Sequence, residues 1–336
     1  MKINEVYIEI LRKCNLSCSH CYLDEKEKEE SIDWIKVIDK LKFFNIKKCV
    51  ILGGEPIIHK DFWKILSYAI SSFKDVTVET NGTLPSFFQN YDCGVAISFE
   101  SCFKKQNDEI RKFSDSKKSV YNLAVKKMLD GKNYDNKKII RMTLYNDTDV
   151  LASIVFAEKL GANSVFMPLM IQGNAFGLIH RVPSTKKIKE SIEICMNANL
   201  RMKGYHQVQI PQWYLVNLDL FEKYSSLFKK QGRICSCSIQ RLFVNYKGDV
   251  FGCPFMERPN FGNIIKDKLF SIEKKIKEFN RKISNIKPQG KCKNCSLFEI
   301  CGGGCLSKWI NNKSKMGDDC PLSIDLNIKK SLKGGI

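Results

Sequence analysis

Residues 49–82, CVILGGEPIIHKDFWKILSYAISSFKDVTVETNG, decide the fold. An apolar run (CVIL, 49–52) closes on two glycines. A helix-spaced stretch follows (DFWKILSYAISSF, 61–73), then an alternating run (DVTVETNG, 75–82) that ends on a turn. Short apolar runs bounded by Gly and Asn read as strands, and apolar residues three and four apart read as one face of a helix. Strand, helix and strand in so short a span form a parallel βαβ unit.

The rhythm extends both ways. VYIEIL (6–11) and DWIKVIDKLKFF (33–44) precede it as strand and helix. VAISFES (95–101), IIRMTLY (139–145) and SVFMPLM (164–170) follow as strands, separated by SVYNLAVKKML (119–129) and VLASIVFAEKLG (150–161) as helices. Six such units predict an α/β fold, a partial (β/α)6 TIM-like barrel with its chemistry at the C-terminal ends of the strands. An open doubly wound sheet is the alternative. The rhythm breaks at 171, where KKIKESIEICMNANL (186–200) and LDLFEKYSSLFKKQG (218–232) read as helices with WYLVN (213–217) between them. From 233 the chain turns to loops and cysteines. The expected divisions are a barrel over 1–170, a helical bridging or substrate segment over 171–232, a cysteine-rich iron–sulfur domain over 233–321 and a short tail helix over 322–336.

Of the 336 residues, 43% are hydrophobic, enough to build a large core and to exclude a disordered chain. No apolar run reaches 18 residues, so no membrane span is expected, and the N-terminus lacks a secretory pattern. A cytoplasmic setting follows, and there fifteen cysteines read as metal ligands or reactive thiols rather than disulfides. The net charge of +19 comes from 46 Lys and only 9 Arg, with acidic residues interleaved. That is a solvated Lys-rich surface rather than the Arg forks of nucleic-acid readout, and no C-x2-C…H-x3-H pattern is present.

RKCNLSCSHCY (12–22) places Cys14, Cys18 and Cys21 at C-x3-C-x2-C just past the first strand. Three thiolates can hold three irons of a [4Fe–4S] cubane and leave the fourth iron open, the mark of a reactive site. A zinc knuckle completed by His20 or a distant residue is the alternative. Arg141, inside an apolar strand, needs an anionic partner.

With these residues the sequence resembles the radical S-adenosylmethionine (SAM) enzymes. The resemblance implies that the open iron chelates SAM, which is cleaved reductively to methionine and a 5′-deoxyadenosyl radical that abstracts hydrogen from substrate. Gly53, Gly54, Glu55 and Pro56 match the GGEP motif, implying contact of backbone and glutamate with the SAM amino group. Thr80-Asn81-Gly82 ends the third strand as in many members, implying that Asn81 contacts SAM, with a barrel-lining polar residue as the alternative. Ser98 matches the fourth-strand serine at SAM, and Arg141 the basic residue facing the SAM carboxylate. Asp108 and Arg111 echo the segment after strand four, read as an ion pair or cap. His59 reads as structural.

The second cysteine set resembles the SPASM domain of peptide-modifying radical SAM enzymes: C-x10-G-x4-C at Cys237, Gly248 and Cys253, then C-x2-C-x5-C-x3-C at Cys292, Cys295, Cys301 and Cys305, then Cys320. The resemblance implies two auxiliary [4Fe–4S] clusters. The near one would use Cys237, Cys253 and Cys305 with Cys235 as fourth ligand, or keep an open iron. The far one would use Cys292, Cys295, Cys301 and Cys320. Cys49 and Cys195 read as buried thiols. Cys102, at the reactive end of strand four, is either a hydrogen donor to a substrate radical, as in peptide epimerases, or an inert loop cysteine.

The implied activity is oxidation, crosslinking or epimerisation of a peptide or protein. The alternatives are a small-molecule or tetrapyrrole cofactor enzyme and a non-catalytic iron–sulfur electron carrier. Pro254 stands where sulfatase maturases carry an acidic base, which counts against formylglycine formation. The first strand starts so early that no leader-binding domain is expected before it, so leader recognition would fall to a separate leader-binding protein or to the surface of the 171–231 segment. An electron donor such as ferredoxin or flavodoxin is the other expected partner.

Overall fold

The computed structural model describes residues 3–23, 32–86, 88–114, 117–130, 137–210, 235–311, 315–318 and 320. WYLVN, the helix expected over 218–232 and the tail helix lie outside the described residues.

The six expected strands are present as β1 (Glu5–Glu9), β2 (Lys48–Leu52), β3 (Asp75–Thr80), β4 (Gly94–Phe99), β5 (Lys138–Leu144) and β6 (Asn163–Pro168). They pair in sequence order, all parallel. The connecting helices are α1 (Trp34–Leu41), α2 (Phe62–Ser72), α3 (Lys104–Ile110), α4 (Val120–Asp130) and α5 (Val150–Lys159). Local chemistry starts several of them. Asp33 caps α1 by accepting from Lys36 N (3.1 Å), and Asp149 caps α5 by accepting from Ala152 N (3.0 Å). Each cap satisfies a donor that the first turn would otherwise leave orphaned.

Three further strands extend the sheet to the order β7-β6-β5-β4-β3-β2-β1-β8-β9. After α6 (Thr185–Asn199), β7 (His206–Val208) joins β6 in parallel. β8 (Arg241–Val244) lies parallel to β1 on its other side, and β9 (Val250–Phe251) folds back antiparallel on β8. The sheet therefore continues past residue 233. Sequence pattern missed these strands because three, four and two residues are too short to show a period.

The outer face of the sheet is apolar. Val6, Ile8, Ile51, Val78, Ile97, Ile140 and Phe166 pack against Trp34, Ile38, Phe62, Leu66, Ala124 and Ile154 of the helices. The helix Leu269–Ser284 adds Ile272 and Ile276 to this same core. The inner face is mixed: a small apolar floor of Tyr7, Val50, Leu52 and Phe243, and charged side chains above it. Among the described residues no helix is long and apolar enough to cross a membrane.

Candidate active site at the open end of the barrel

The loop carrying Cys14, Cys18 and Cys21 leaves β1 and is clasped from four sides. From β2's end, Gly54 N donates to the Leu11 carbonyl and Glu55 N to the Lys13 carbonyl, each at 2.9 Å. After α3, Ser19 N donates to the Ile110 carbonyl (3.1 Å) and Ser17 N to the Lys112 carbonyl (2.7 Å). After β6, Asn174 N donates to the Cys21 carbonyl (2.8 Å). From β3's end, the Asn81 amide nitrogen reaches Asn15 Oδ1 (2.8 Å) and Cys14 Sγ (3.8 Å). Leu16 N also donates to Cys14 Sγ (3.4 Å).

This geometry gives the double glycine a role that the sequence did not show. A Cβ on Gly54 would sit 2.3 Å from the Arg12 carbonyl oxygen, and one on Gly53 2.5 Å from that of Leu11. The glycines make room for the backbone of the cysteine loop itself. Gly173 does the same from the opposite side, where a Cβ would meet the Tyr22 carbonyl carbon at 2.6 Å. Its φ of +56° suits glycine as well. Gly173 and Asn174 were missed because the stretch after 170 has no periodicity.

Glu55 is fully buried. Its Oε1 accepts from Thr80 Oγ1 (2.8 Å) and Ile57 N (3.4 Å), and its Oε2 accepts from Asn81 N (2.7 Å). Burial outweighs these donors and pushes the carboxyl up to about 7. Ser98 and Arg141 face each other in register across β4 and β5, both half-buried. Arg141 has protein partners already: an ion pair with Glu79 and a hydrogen bond to Gln209 Oε1 (2.6 Å). Below it, Arg241 pairs with Glu5 (2.6 Å) and stacks over Tyr7 at 4.8 Å. Glu79, Gln209, Glu5 and Arg241 were not singled out from sequence. Only the polar phase of the alternation in DVTVET signalled Glu79.

Beneath the loop lies a second buried network. Glu100, just past β4, accepts from His20 Nε2 (3.0 Å), Arg111 Nη1 (3.3 Å) and Tyr145 Oη (2.7 Å). Burial would raise its carboxyl, but His20 and Arg111 outweigh burial and hold it at about 2. The Arg111 ion pair expected from sequence is therefore with Glu100. Asp108 caps instead, accepting from Tyr121 N (2.8 Å) and Ser119 Oγ (2.6 Å). His20 Nε2 is taken up by Glu100.

A model of the radical SAM superfamily matches residues 8–171, and one of an iron–sulfur cluster-binding domain, SPASM, matches 235–296. The chain is a radical SAM protein with a SPASM domain. Mycofactocin maturase MftC of Mycolicibacterium smegmatis is 24% identical over 324 residues, covering 89% of this chain and 77% of that protein. Fe-coproporphyrin III synthase of Methanosarcina barkeri is 23% identical over 328 residues, covering 87% and 80%. Among solved structures, Streptococcus suis SuiB bound to precursor peptide SuiA superposes with a TM-score of 0.73 at 17% identity, covering 94% of this chain and 74% of that one.

The donor set fits the clusters of a radical SAM enzyme. Three cysteines share one clasped loop, two N–H groups aim at Cys14 Sγ, and a buried cation acts on Cys14 and Cys18. Two further sets of four thiols lie in the SPASM region. Cys235, Cys237, Cys253 and Cys305 perturb one another directly. Cys292, Cys295, Cys301 and Cys320 form the second set. Burial pushes Cys237 well above its ordinary range and Cys301 up to about 12, so metal binding at each must expel a proton. None of the fifteen cysteines is joined in a disulfide.

Cys102 stands apart from these sets. Its thiol meets Ser153 of α5 and opens on a shallow outer hollow lined by Phe103, Asp149, Leu151 and Lys159. That hollow lies on the helix layer rather than the inner face. Cys49 and Cys195 are buried among apolar residues of the core.

Proposed function

We propose that this chain is a radical SAM/SPASM enzyme that abstracts hydrogen from a peptide or protein. One observation carries the reading: Cys14, Cys18 and Cys21 share one loop that backbone hydrogen bonds clasp from the ends of the barrel, inside the radical SAM domain. Cys14, Cys18 and Cys21 would hold a cluster with one position left for SAM. The two four-thiol sets would hold fully ligated auxiliary clusters, with Cys235 completing the near one.

The bound cluster and SAM supply one-electron cleavage to a 5′-deoxyadenosyl radical. The chain's own residues do the rest. Glu55 offers a buried carboxylate to the SAM ammonium, while Thr80 and Asn81 fix its orientation. Arg141, its charge shared with Glu79, and Ser98 would take the SAM carboxylate from neighbouring strands. Asn81 serves the loop by holding Asn15 and Cys14. Tyr22 meets Phe255 edge-on at 5.4 Å, joining the cysteine loop to the turn after Cys253. Substrate would enter over that seam.

A peptide substrate is supported by the maturase relative and by the fold shared with a protein solved on its precursor peptide. The synthase relative keeps a tetrapyrrole open as the second reading. A low-potential ferredoxin or flavodoxin would supply the electron, a separate leader-binding protein would present the peptide, and a reducing cytoplasm would keep the thiols free. The test is anaerobic reconstitution with SAM and dithionite, followed by mass spectrometry of peptides encoded beside the gene. 5′-Deoxyadenosine formed together with a peptide that loses hydrogen, or takes up solvent deuterium, supports the reading. Turnover of a tetrapyrrole and of none of the peptides overturns it.

A further inference from the structure

The segment from Ile110 to Phe113 straps one side of the cysteine loop. Its carbonyls at Ile110 and Lys112 accept from Ser19 N and Ser17 N, and Phe113 bridges Leu16. Arg111 sits in the middle of that strap with its side chain 5% exposed. Both oxygens of its partner Glu100 are occupied, one by Arg111 and His20 and the other by Tyr145. Arg111 Nε is buried with no hydrogen-bond partner among the described residues.

A guanidinium stays charged at every pH the protein meets. Burying one behind a carboxylate that it shares is costly without a further anion nearby. The cysteine loop supplies one. Ser17 N and Ser19 N bond the carbonyls of Lys112 and Ile110, so Cys18 lies opposite Arg111 across the strap, and Arg111 acts electrostatically on Cys18 and Cys14. Glu100 fixes the guanidinium beside the loop, which its own Oε1 meets at His20 Nε2 (3.0 Å).

We propose that Arg111, held in place by Glu100, sets the reduction potential of the cluster on Cys14, Cys18 and Cys21. The inference rests on the reading of that loop given above. The step is the addition of one electron from a low-potential reductant, with no bond or proton transferred. A cluster on three thiolates becomes more negative on reduction, so a cation fixed beside it in dry protein favours the reduced form. Arg111 is a positioning residue here, because it acts through the cluster and touches no reacting atom.

The test is a dithionite redox titration of the reconstituted full-length holoenzyme, followed by electron paramagnetic resonance. The barrel cluster is identified as the signal that changes when SAM is added. Arg111→Gln should lower the reduced-to-oxidised ratio at a fixed potential by about tenfold, a shift of about 59 mV to more negative potential. Arg111→Lys should stay close to wild type. Glu100→Gln should move the potential in the opposite direction, because it unmasks the guanidinium. Opposite signs from the two halves of one ion pair cannot come from lost packing. An unmoved potential in Arg111→Gln, or shifts of the same sign in both variants, overturns the inference. If Arg111→Gln fails to hold iron, Glu100→Gln decides alone, and an unmoved or more negative potential there overturns it. Wild-type protein without a SAM-responsive signal overturns the site reading instead.

Discussion

The cysteine loop of the barrel and the cysteine-rich region near residues 290–320 hold similar ligands by different means. The first is built by its neighbours. Hydrogen bonds from the end of β2 and from the segments after α3 and β6 fix its backbone, Asn81 at the end of β3 holds the Asn15 and Cys14 side chains, and three glycines make room for it. The second has little regular structure beyond the helices Phe298–Cys301 and Leu306–Ile310. Its turns depend on Gly302, Gly303, Gly304 and Gly317, all at positive φ. A Cβ on Gly317 would come within 2.7 Å of Cys292 Sγ. The first site is held by backbone hydrogen bonds from the barrel; the second packs Leu306, Trp309 and Ile310 on Cys237 and Met256, a small cluster that should depend more on its metal. Residues 235–284 side with the barrel, because β8 extends its sheet and Ile272 and Ile276 enter its core.

The largest effects would come from removing ligands on either side of that contrast. Cys14, Cys18 and Cys21 changed together to Ala should abolish SAM cleavage and remove about a third of roughly 12 irons, with barrel secondary structure intact by circular dichroism. Cys295→Ala should do the reverse. Hydrogen exchange should show residues 290–320 opening first, SAM cleavage should persist, and substrate turnover should vanish. Equal loss of protection in barrel and auxiliary region after iron chelation would break the comparison.

Gly54→Ala tests the clasp itself. The added Cβ meets the backbone of Arg12 and Lys13, which cannot swing aside as a flexible side chain could. Destabilisation of about 1–3 kcal/mol is expected in denaturant melts, together with a displaced cluster spectrum. A melt and spectrum like wild type would show that the clasp is looser than drawn.

Glu55→Ala should weaken SAM binding by about 1.5–3 kcal/mol while iron content stays unchanged, as read by equilibrium binding and iron assay. Loss of iron in this variant would mean that Glu55 serves the cysteine loop more than SAM.

The smallest effect is a pH slope. Glu55 sits at about 7 in the fold against an ordinary value of 4.5. Between those values the native state binds more protons than the unfolded chain, so stability falls as pH rises and levels off above 7. Relative to Glu55→Gln, wild type should lose up to about 1.4 kcal/mol per pH unit in melts from pH 5.5 to 7. SAM bound through its ammonium favours the carboxylate, so binding at pH 6.5 should release a proton from wild type and none from the Gln variant, by calorimetry in two buffers. Equal proton release from both would remove Glu55 from that role.

Much of this was legible in the chain. The βαβ rhythm of 49–82 forces parallel pairing, because strands joined by a helix of that length cannot pair as hairpins. The cysteine spacings were legible because a metal site on a short loop is a local property: Cys14, Cys18 and Cys21 need no partner from elsewhere to be noticed. The buried charge at Arg141 announced the need for an anion, since an apolar strand cannot leave a guanidinium unpaired.

What that anion is, only the fold decided. Glu79 lies 62 residues from Arg141 and meets it because β3, β4 and β5 are adjacent. The double glycine could be read as a motif but not as clearance for the backbone of Arg12 and Lys13, which arrives from another strand. The same holds for Glu100, whose partners His20, Arg111 and Tyr145 come from three separate segments. Spacing along the chain records which residues can share one turn. Which charges face each other across a barrel is set by sheet order and register, and no local pattern carries that.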